Sequence, residues 1–329
     1  MSITILKPGI YSSIQDLGRW GYQQYGIPIS GAMDEFSARL ANIICGNDEQ
    51  DALVELTLHG TEIMFNESAC ISITGSGSRI FINDLEVEFN RLIKLEAFSI
   101  LKFKPAAKGC RAYLAVQGGL NIKKELGSAS TYSPSSIGGI NGHSLNTGDI
   151  IPFSRKAAAH SKSNDIKQIK NGFGVSAWIA VASINKQLGD PYKIKICLGP
   201  EWELFSEESK NKLLKTEYTI SLKANRMGIH LEGETLAIAE KKEMISSAVT
   251  RGVIQVTNKG LPIILMADAQ TTGGYPRIAR VCSADLSLLA QCRPGDRLFF
   301  FNISENESFQ KMKKMKEILK SIEIGLANK

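Results

Sequence analysis

The amino-acid sequence predicts a mainly β protein, made of two barrel-like halves with a few short helices and a helix at the C-terminal end. Three observations lead there. First, short apolar runs of strand length are separated by Gly, Asn and Asp rather than by long stretches of helical period, as in a sandwich or barrel. Residues 70–74, 79–82 ahead of Asn83-Asp84, 111–116 and 252–256 are the clearest of these runs. Second, segments with an apolar side at helical spacing are few. Third, two endings echo each other. Thr147-Gly148-Asp149 leads into Ile150-Ile151-Pro152-Phe153, and Pro294-Gly295-Asp296 leads into Arg297-Leu298-Phe299-Phe300. A Gly-Asp turn feeding a last apolar strand in each half suits two related barrels.

Taken in order, Asp34 is placed to cap a helix over residues 35–45, whose Phe36, Leu40, Ile43 and Ile44 share one side and which Gly46-Asn47 closes. Residues 155–172 are basic and rich in Ala and Ser, with neither β alternation nor an apolar face, so they are the expected linker. Further helices are expected over 203–215, over 284–291 where Pro294-Gly295 halts the chain, and over 309–324. In the last, Met312, Met315, Ile318, Leu319 and Ile322 form a stripe with the lysines outside it. The expected organisation is an N-terminal β domain (1–154), a linker (155–172), a C-terminal β domain (173–303) and an amphipathic tail helix (304–329).

Composition narrows the function classes. Hydrophobic residues make up 43% of the chain and charged residues 22%, as in a soluble globular protein. The formal charge of +6 sits in the linker and the tail, which carry +4 and +2. Solvated lysines in two such segments do not make a concentrated nucleic-acid-binding face. Six cysteines stand apart with apolar neighbours, and four histidines are equally scattered, so reduced buried thiols and no metal site are expected. The start, MSITILKPG, lacks the regions of a signal peptide, and no apolar stretch approaches a membrane span. The expected location is the cytoplasm.

Two segments carry more polar chemistry than a turn needs. In the first, QDLGRWGY (15–22) followed by GIPISGAMD (26–34), glycines alternate with side chains that hydrogen-bond or carry charge, which lets backbone approach a ligand closely. Arg19 offers a planar fork suited to a carboxylate or phosphate. The plainer account is a pair of tight turns, with Asp16 in an Asx turn, Arg19 paired to a carboxylate and Asp34 as a helix cap. The second is QTTGGYP (270–276), directly after the apolar run 261–267. Its hydroxyls and successive amides can face a developing oxyanion, against the simpler reading of a Gly-Gly turn.

These two segments, with AVQGGL (115–120), LGSASTY (126–132), RMG (226–228), GVIQV (252–256), RIARV (277–281) and ADLSLLAQCRPGD (284–296), occur in an order that resembles the family of 5-oxoprolinase C subunits. That family, also labelled KipA or allophanate hydrolase subunit 2, is biotin-dependent carboxyltransferase-like. The resemblance runs from about residue 9 to residue 300. It implies two cyclophilin-like β-barrel domains, a non-covalent KipI-like B subunit, and ATP-dependent opening of 5-oxoproline to L-glutamate with a LamB/YcsF-type A subunit. Three positions depart from the pattern: Asn225 stands where Asp usually precedes Arg-Met-Gly, Ala129 where Arg is common, and Ala269 where Arg often precedes Gln-Thr-Thr.

In that chemistry Thr271, Thr272, Gly273 and Gly274 are the candidates for oxyanion stabilisation, and Asp16 is the nearest candidate base. Arg19 would hold a substrate carboxylate or phosphate, Gln15 and Gln270 would orient it, and Tyr275 would line the same pocket as Arg19. No G-x-x-x-x-G-K-[ST] loop is present, so an ATP site is expected to be unconventional or on another subunit. Gly75-Ser76-Gly77 lacks the third glycine of a dinucleotide fingerprint and reads as a hairpin. The lysines around Met312 and Met315 lie in helical surroundings, not at the hairpin tip that biotin attachment requires. Two alternatives remain: a carboxyltransferase subunit served by a separate biotin carrier, as in urea carboxylase, and a non-enzymatic antagonist that binds a KipI-like histidine-kinase inhibitor. A cyclophilin-type isomerase would rest on fold alone.

Overall fold

A computed structural model describes residues 1–154, 166, 170–180, 188–239 and 244–327. Most of the expected linker lies outside the described residues. By packing, the chain divides into one unit of Met1–Arg19, Ser30–Lys186 and Lys316–Lys329, and another of Trp20–Ile29 and Gln187–Met315.

The first unit contains β1 (Ser2–Pro8), β2 (Tyr11–Gln15), α1 (Glu35–Cys45), β3 (Leu53–Thr57), β4 (Thr61–Phe65), β5 (Ala69–Gly75), β6 (Ser78–Ile82), β7 (Leu85–Val87), β8 (Leu92–Leu95), β9 (Ile100–Pro105), β10 (Arg111–Val116), β11 (Ile150–Pro152) and β12 (Phe173–Val175). They form two six-stranded sheets, ordered β11-β1-β4-β9-β6-β7 and β12-β8-β5-β10-β3-β2. Alternation dictates this: β4 buries Thr61, Ile63 and Phe65 while Glu62 and Met64 are more open. Inward residues of both sheets, among them Ile3, Ile5, Phe65, Val54, Ile73 and Leu114, make one continuous core. The Asn83-Asp84 pair joins β6 to β7 with both φ angles positive (48° and 66°), as a two-residue hairpin turn requires.

The second unit contains β13 (Tyr192–Leu198), α2 (Glu207–Lys215), β14 (Tyr218–Ile220), β15 (Gly228–Glu232), β16 (Ser247–Ala248), β17 (Val253–Val256), β18 (Pro262–Leu265), β19 (Thr272–Gly273), β20 (Arg277–Val281), α3 (Leu286–Ala290), β21 (Arg297–Asn302) and the start of α4 (Glu305–Ala327). Seven strands close a barrel in the order β13-β20-β17-β18-β15-β14-β21, sealed by parallel pairing of β13 with β21. β16 and β19 form a separate two-stranded ribbon.

The sequence puts the start of the second domain at residue 173, and here the structure differs. β12 pairs antiparallel with β8, and Phe173 and Val175 pack on the first core. Burying those side chains and satisfying the edge of β8 outweighs the composition break upstream. Segment 20–29, inside the first motif, groups with the second unit.

The echo in the sequence is an echo in backbone bonding. Gly148 and Gly295 share φ of 90°. Gly148 N–H donates to Ile5 O and Ile5 N–H to Asp149 O; Gly295 N–H donates to Ile220 O and Ile220 N–H to Asp296 O. Each aspartate also accepts from the amide three residues before it, Asn146 or Arg293, at 2.7 Å.

The helices obey their caps. Asp34 accepts from Ser37 N at 3.0 Å and Gly46 ends α1 in the left-handed region. The helix expected over 203–215 is divided into a short 3-10 turn, Trp202–Leu204, and α2, because Phe205 is buried and Ser206 caps α2 through Ser209 N. α4 begins earlier than the apolar stripe indicates. Ser304 accepts from Glu307 N at 3.2 Å while Glu307 accepts from Ser304 N at 2.8 Å, a reciprocal capping box. No helix among the described residues is long and apolar enough to cross a membrane.

Candidate active site

In the first unit the QDLGR segment leaves the end of β2 and is held by residues 128–131. The Asp16 carboxylate accepts from Gly18 N (2.8 Å), Ser128 Oγ (2.6 Å), Ala129 N (2.6 Å) and Ser130 Oγ (2.6 Å). Four donors on one buried carboxylate fix the distant segment to the turn. Gln15 donates from Nε2 to Ser13 Oγ (2.9 Å) and Thr131 O (3.3 Å), and Arg19 donates from Nη2 to Ser130 O at 2.5 Å. Arg19 is 0% exposed and is among the largest fully buried side chains. Ala129, where an arginine is common, is also buried, so its small side chain keeps this packing.

The ISGAMD loop lies against this turn. Ala32 N–H donates to Asp16 O, and any side chain on Gly31 would meet Leu17 and Gly18, Gly18 N at 2.9 Å. From below, buried Glu55 accepts from Met33 N (2.7 Å) and from Tyr113 Oη (2.8 Å), while Tyr113 Oη accepts from Asp34 N (2.7 Å). Burial, reinforced by Glu55 and Asp34, pushes the Tyr113 phenol well above its usual range, so it stays protonated as a bridge.

In the second unit QTTGGYP forms the ribbon strand β19 and the approach to β20. Ser247 pairs with Gly273 and Ala248 with Thr272, and Val249 N–H donates to Thr271 O. Gln270, Thr272, Gly274 and Tyr275 are exposed, and Thr271 and Gly273 are half-buried. Gln255 supports the ribbon from β17: its Nε2 donates to Tyr275 O (3.1 Å), and a methyl group on Gly273 would lie 2.7 Å from that same nitrogen. Arg277 clamps Glu201 with two prongs (2.8 and 2.7 Å) and donates to Ala248 O at 3.2 Å, tying β16 to β20. The Arg277 bond holds the Glu201 carboxyl below the usual glutamate range.

Ahead of the loop, Arg226 pairs with Asp268, and Asp268 N–H donates to Arg226 O. Asn225 Oδ1 accepts from Met227 N (2.8 Å) and Gly228 N (3.3 Å), as an aspartate there would, so this departure keeps the turn. Ala269 is buried with Val249, Val253 and Leu265.

Gln15, Asp16 and Arg19 are thus gathered in the first unit, and Gln270, Thr271, Thr272, Gly273, Gly274 and Tyr275 in the second. Residue patterns did not single out Ser128, Ser130, Glu201, Gln255 or Arg277. The available signals were polar residues inside strand-like runs, Gln255 within V-I-Q-V above all. Among the described residues no three His, Cys, Asp or Glu side chains converge as a metal site would need.

A sequence model for the carboxyltransferase domain, subdomains A and B, matches residues 25–302, and the chain belongs to this family. Within it the chain is 33% identical to the 5-oxoprolinase C subunit of Escherichia coli K12, over 94% of this chain and 93% of that protein. It is 36% identical to the 5-oxoprolinase C subunit of Haemophilus influenzae, over 96% of each. Among solved structures, the urea carboxylase of Kluyveromyces lactis superposes with a TM-score of 0.87 at 28% identity, over 99% of this chain and 29% of that one.

Proposed function

We propose that the chain is the C subunit of an ATP-dependent 5-oxoprolinase, opening 5-oxoproline to L-glutamate in the cytoplasm with a KipI-like B subunit and a LamB/YcsF-type A subunit. The observation that carries this reading is the likeness, over more than nine-tenths of both chains, to two 5-oxoprolinase C subunits. ATP acts in the complex, with its site on another subunit.

Ring opening adds water across the lactam C–N bond, through a tetrahedral intermediate whose oxygen bears negative charge. The exposed Thr272 hydroxyl, the Thr271 hydroxyl and the Gly273 and Gly274 amides are the groups assigned to that oxygen, with Gln270 and Tyr275 orienting the substrate. Gln15 and Arg19 are assigned to a carboxylate or phosphate bound within the first unit. The four donors on Asp16 favour a positioning role for it over proton abstraction. Glutamate release from 5-oxoproline should require both partners, and the chain alone should neither hydrolyse ATP nor release glutamate. Robust turnover by the isolated chain would sink the proposal.

A second reading, a carboxyltransferase subunit served by a separate biotin carrier, is favoured by the likeness to urea carboxylase. Carboxyl transfer to or from a supplied biotinylated carrier, with no glutamate release, would select it.

A further inference from the structure

Residues 133–143 of the first unit cover the Gln15–Arg19–Thr131 cluster, and their backbone is unusual. Ser136, Gly138, Gly139, Asn141 and Gly142 hold φ of 52°, 70°, 57°, 53° and 73°. For Ser136 and Asn141 this left-handed region carries a cost that the surroundings must offset. The outer side, Pro134 to Ser136, is exposed, whereas Gly138 and Gly142 are buried. A methyl group on Gly138 would collide with Ser130 O and come within 2.9 Å of Arg19 Nη2; one on Gly139 would collide with Thr131 Oγ1. The glycines therefore let backbone lie directly on the guanidinium and the hydroxyl.

Beneath this cover, Thr131 Oγ1 and the Oε1 of Gln15, whose Nε2 donates to Thr131 O, are shielded from solvent and have no hydrogen-bond partner among the described residues. Buried oxygens are ordinarily satisfied, so these two are available to the polar groups of a ligand. Ile140 packs the cover against the first core and Ser133 Oγ lies 3.5 Å from Tyr11 Oη, while its backbone bonds to the rest of the unit are few. Gly138 N–H donates to Glu125 Oε2 (2.9 Å) and Gly139 N–H to Ala129 O (2.9 Å), while Gly142 to Gly138 and Tyr132 to Ile137 are bonds within the segment or at its root.

We propose that residues 133–143 are a lid that lifts to admit a small lactam bearing a carboxylate, with Glu125 as its latch. The ligand's identity rests on the 5-oxoprolinase reading; the lid does not. A lactam N–H complements Gln15 Oε1, and its carboxylate accepts from the Thr131 hydroxyl and is drawn by the charge of Arg19. This accounts for a binding arginine that is fully buried when the lid is down.

Hydrogen exchange on the full chain tests this, followed at the Gly138, Gly139 and Gly142 amides with and without millimolar L-5-oxoproline. These amides should exchange faster than those of β10, and Glu125→Ala should speed them by about tenfold or more. The lactam should slow them several-fold in the native chain but not in Gln15→Leu, with Thr131→Val as a second variant should the first not fold. Lid amides as slow as β10 in both the native chain and Glu125→Ala would overturn the lid. Exchange unchanged by the lactam, alone and with partner subunits bound, would overturn its role in binding and leave a fixed cover. Glutamate release with an immobile lid sinks only this inference; a mobile, lactam-protected lid supports it even where glutamate release fails and the enzymatic reading falls.

Discussion

Arg226 and Asp268 form a buried two-pronged ion pair, with Nε 2.8 Å from Oδ2 and Nη2 3.1 Å from Oδ1. The side chains are only 9% and 6% exposed. Removing one partner strands a charge in the interior, so Arg226→Ala should lower unfolding free energy by about 3–5 kcal/mol. Arg226→Met combined with Asp268→Leu should recover most of that loss. Denaturant titration measures both, and a single variant as stable as the native chain would contradict the assignment.

The Glu201–Arg277 pair makes a prediction about pH. Its folded carboxyl titrates below the usual glutamate value, so its stabilisation is complete above the unfolded pKa and is lost as pH falls through the folded one. Melting temperature should therefore fall more steeply on acidification in the native chain than in Glu201→Gln, the two curves converging at low pH. A constant offset between them would rule the linkage out.

Thr272 is exposed in the ribbon and holds no core in place. Thr272→Ala should lower turnover of the assembled enzyme by up to about 10²-fold, with stability changed by no more than about 0.5 kcal/mol. Gly273→Ala should also impair turnover, because its methyl group would press to 2.7 Å from Gln255 Nε2. Full activity in both variants would remove the loop from the chemistry.

At the tail, Ser304→Ala breaks a capping box and should cost about 1 kcal/mol. Truncation after Ser304 removes a helix that buries Leu319 and Leu326, so it should destabilise the chain without abolishing chemistry in the assembled complex. Complete loss of activity in a folded, assembled truncation would refute this.

Local signals carried the legible part of the structure. The strand over 111–116, the helix from Asp34 to Gly46 and the paired Gly-Asp turns follow from alternation, capping and turn chemistry within a few residues. What was not legible depends on distant partners. Asp16 meets Ser128 across 112 residues and Glu201 meets Arg277 across 76, and neither pairing leaves a periodic trace. The burial of Arg19 was hidden for the same reason, since a flexible-looking Gly-rich neighbourhood reads as open surface until residues 133–143 are placed over it. The start of the second domain was misplaced because Phe173 and Val175 find their core in strands far upstream.

β21 lies between β13 and β14, pairing parallel with one and antiparallel with the other. During synthesis, residues 192–281 can therefore emerge as a curved but open sheet, with raw edges at β13 and β14 until residue 302 has left the ribosome. The interval is when this nascent chain is most exposed to strand-to-strand aggregation.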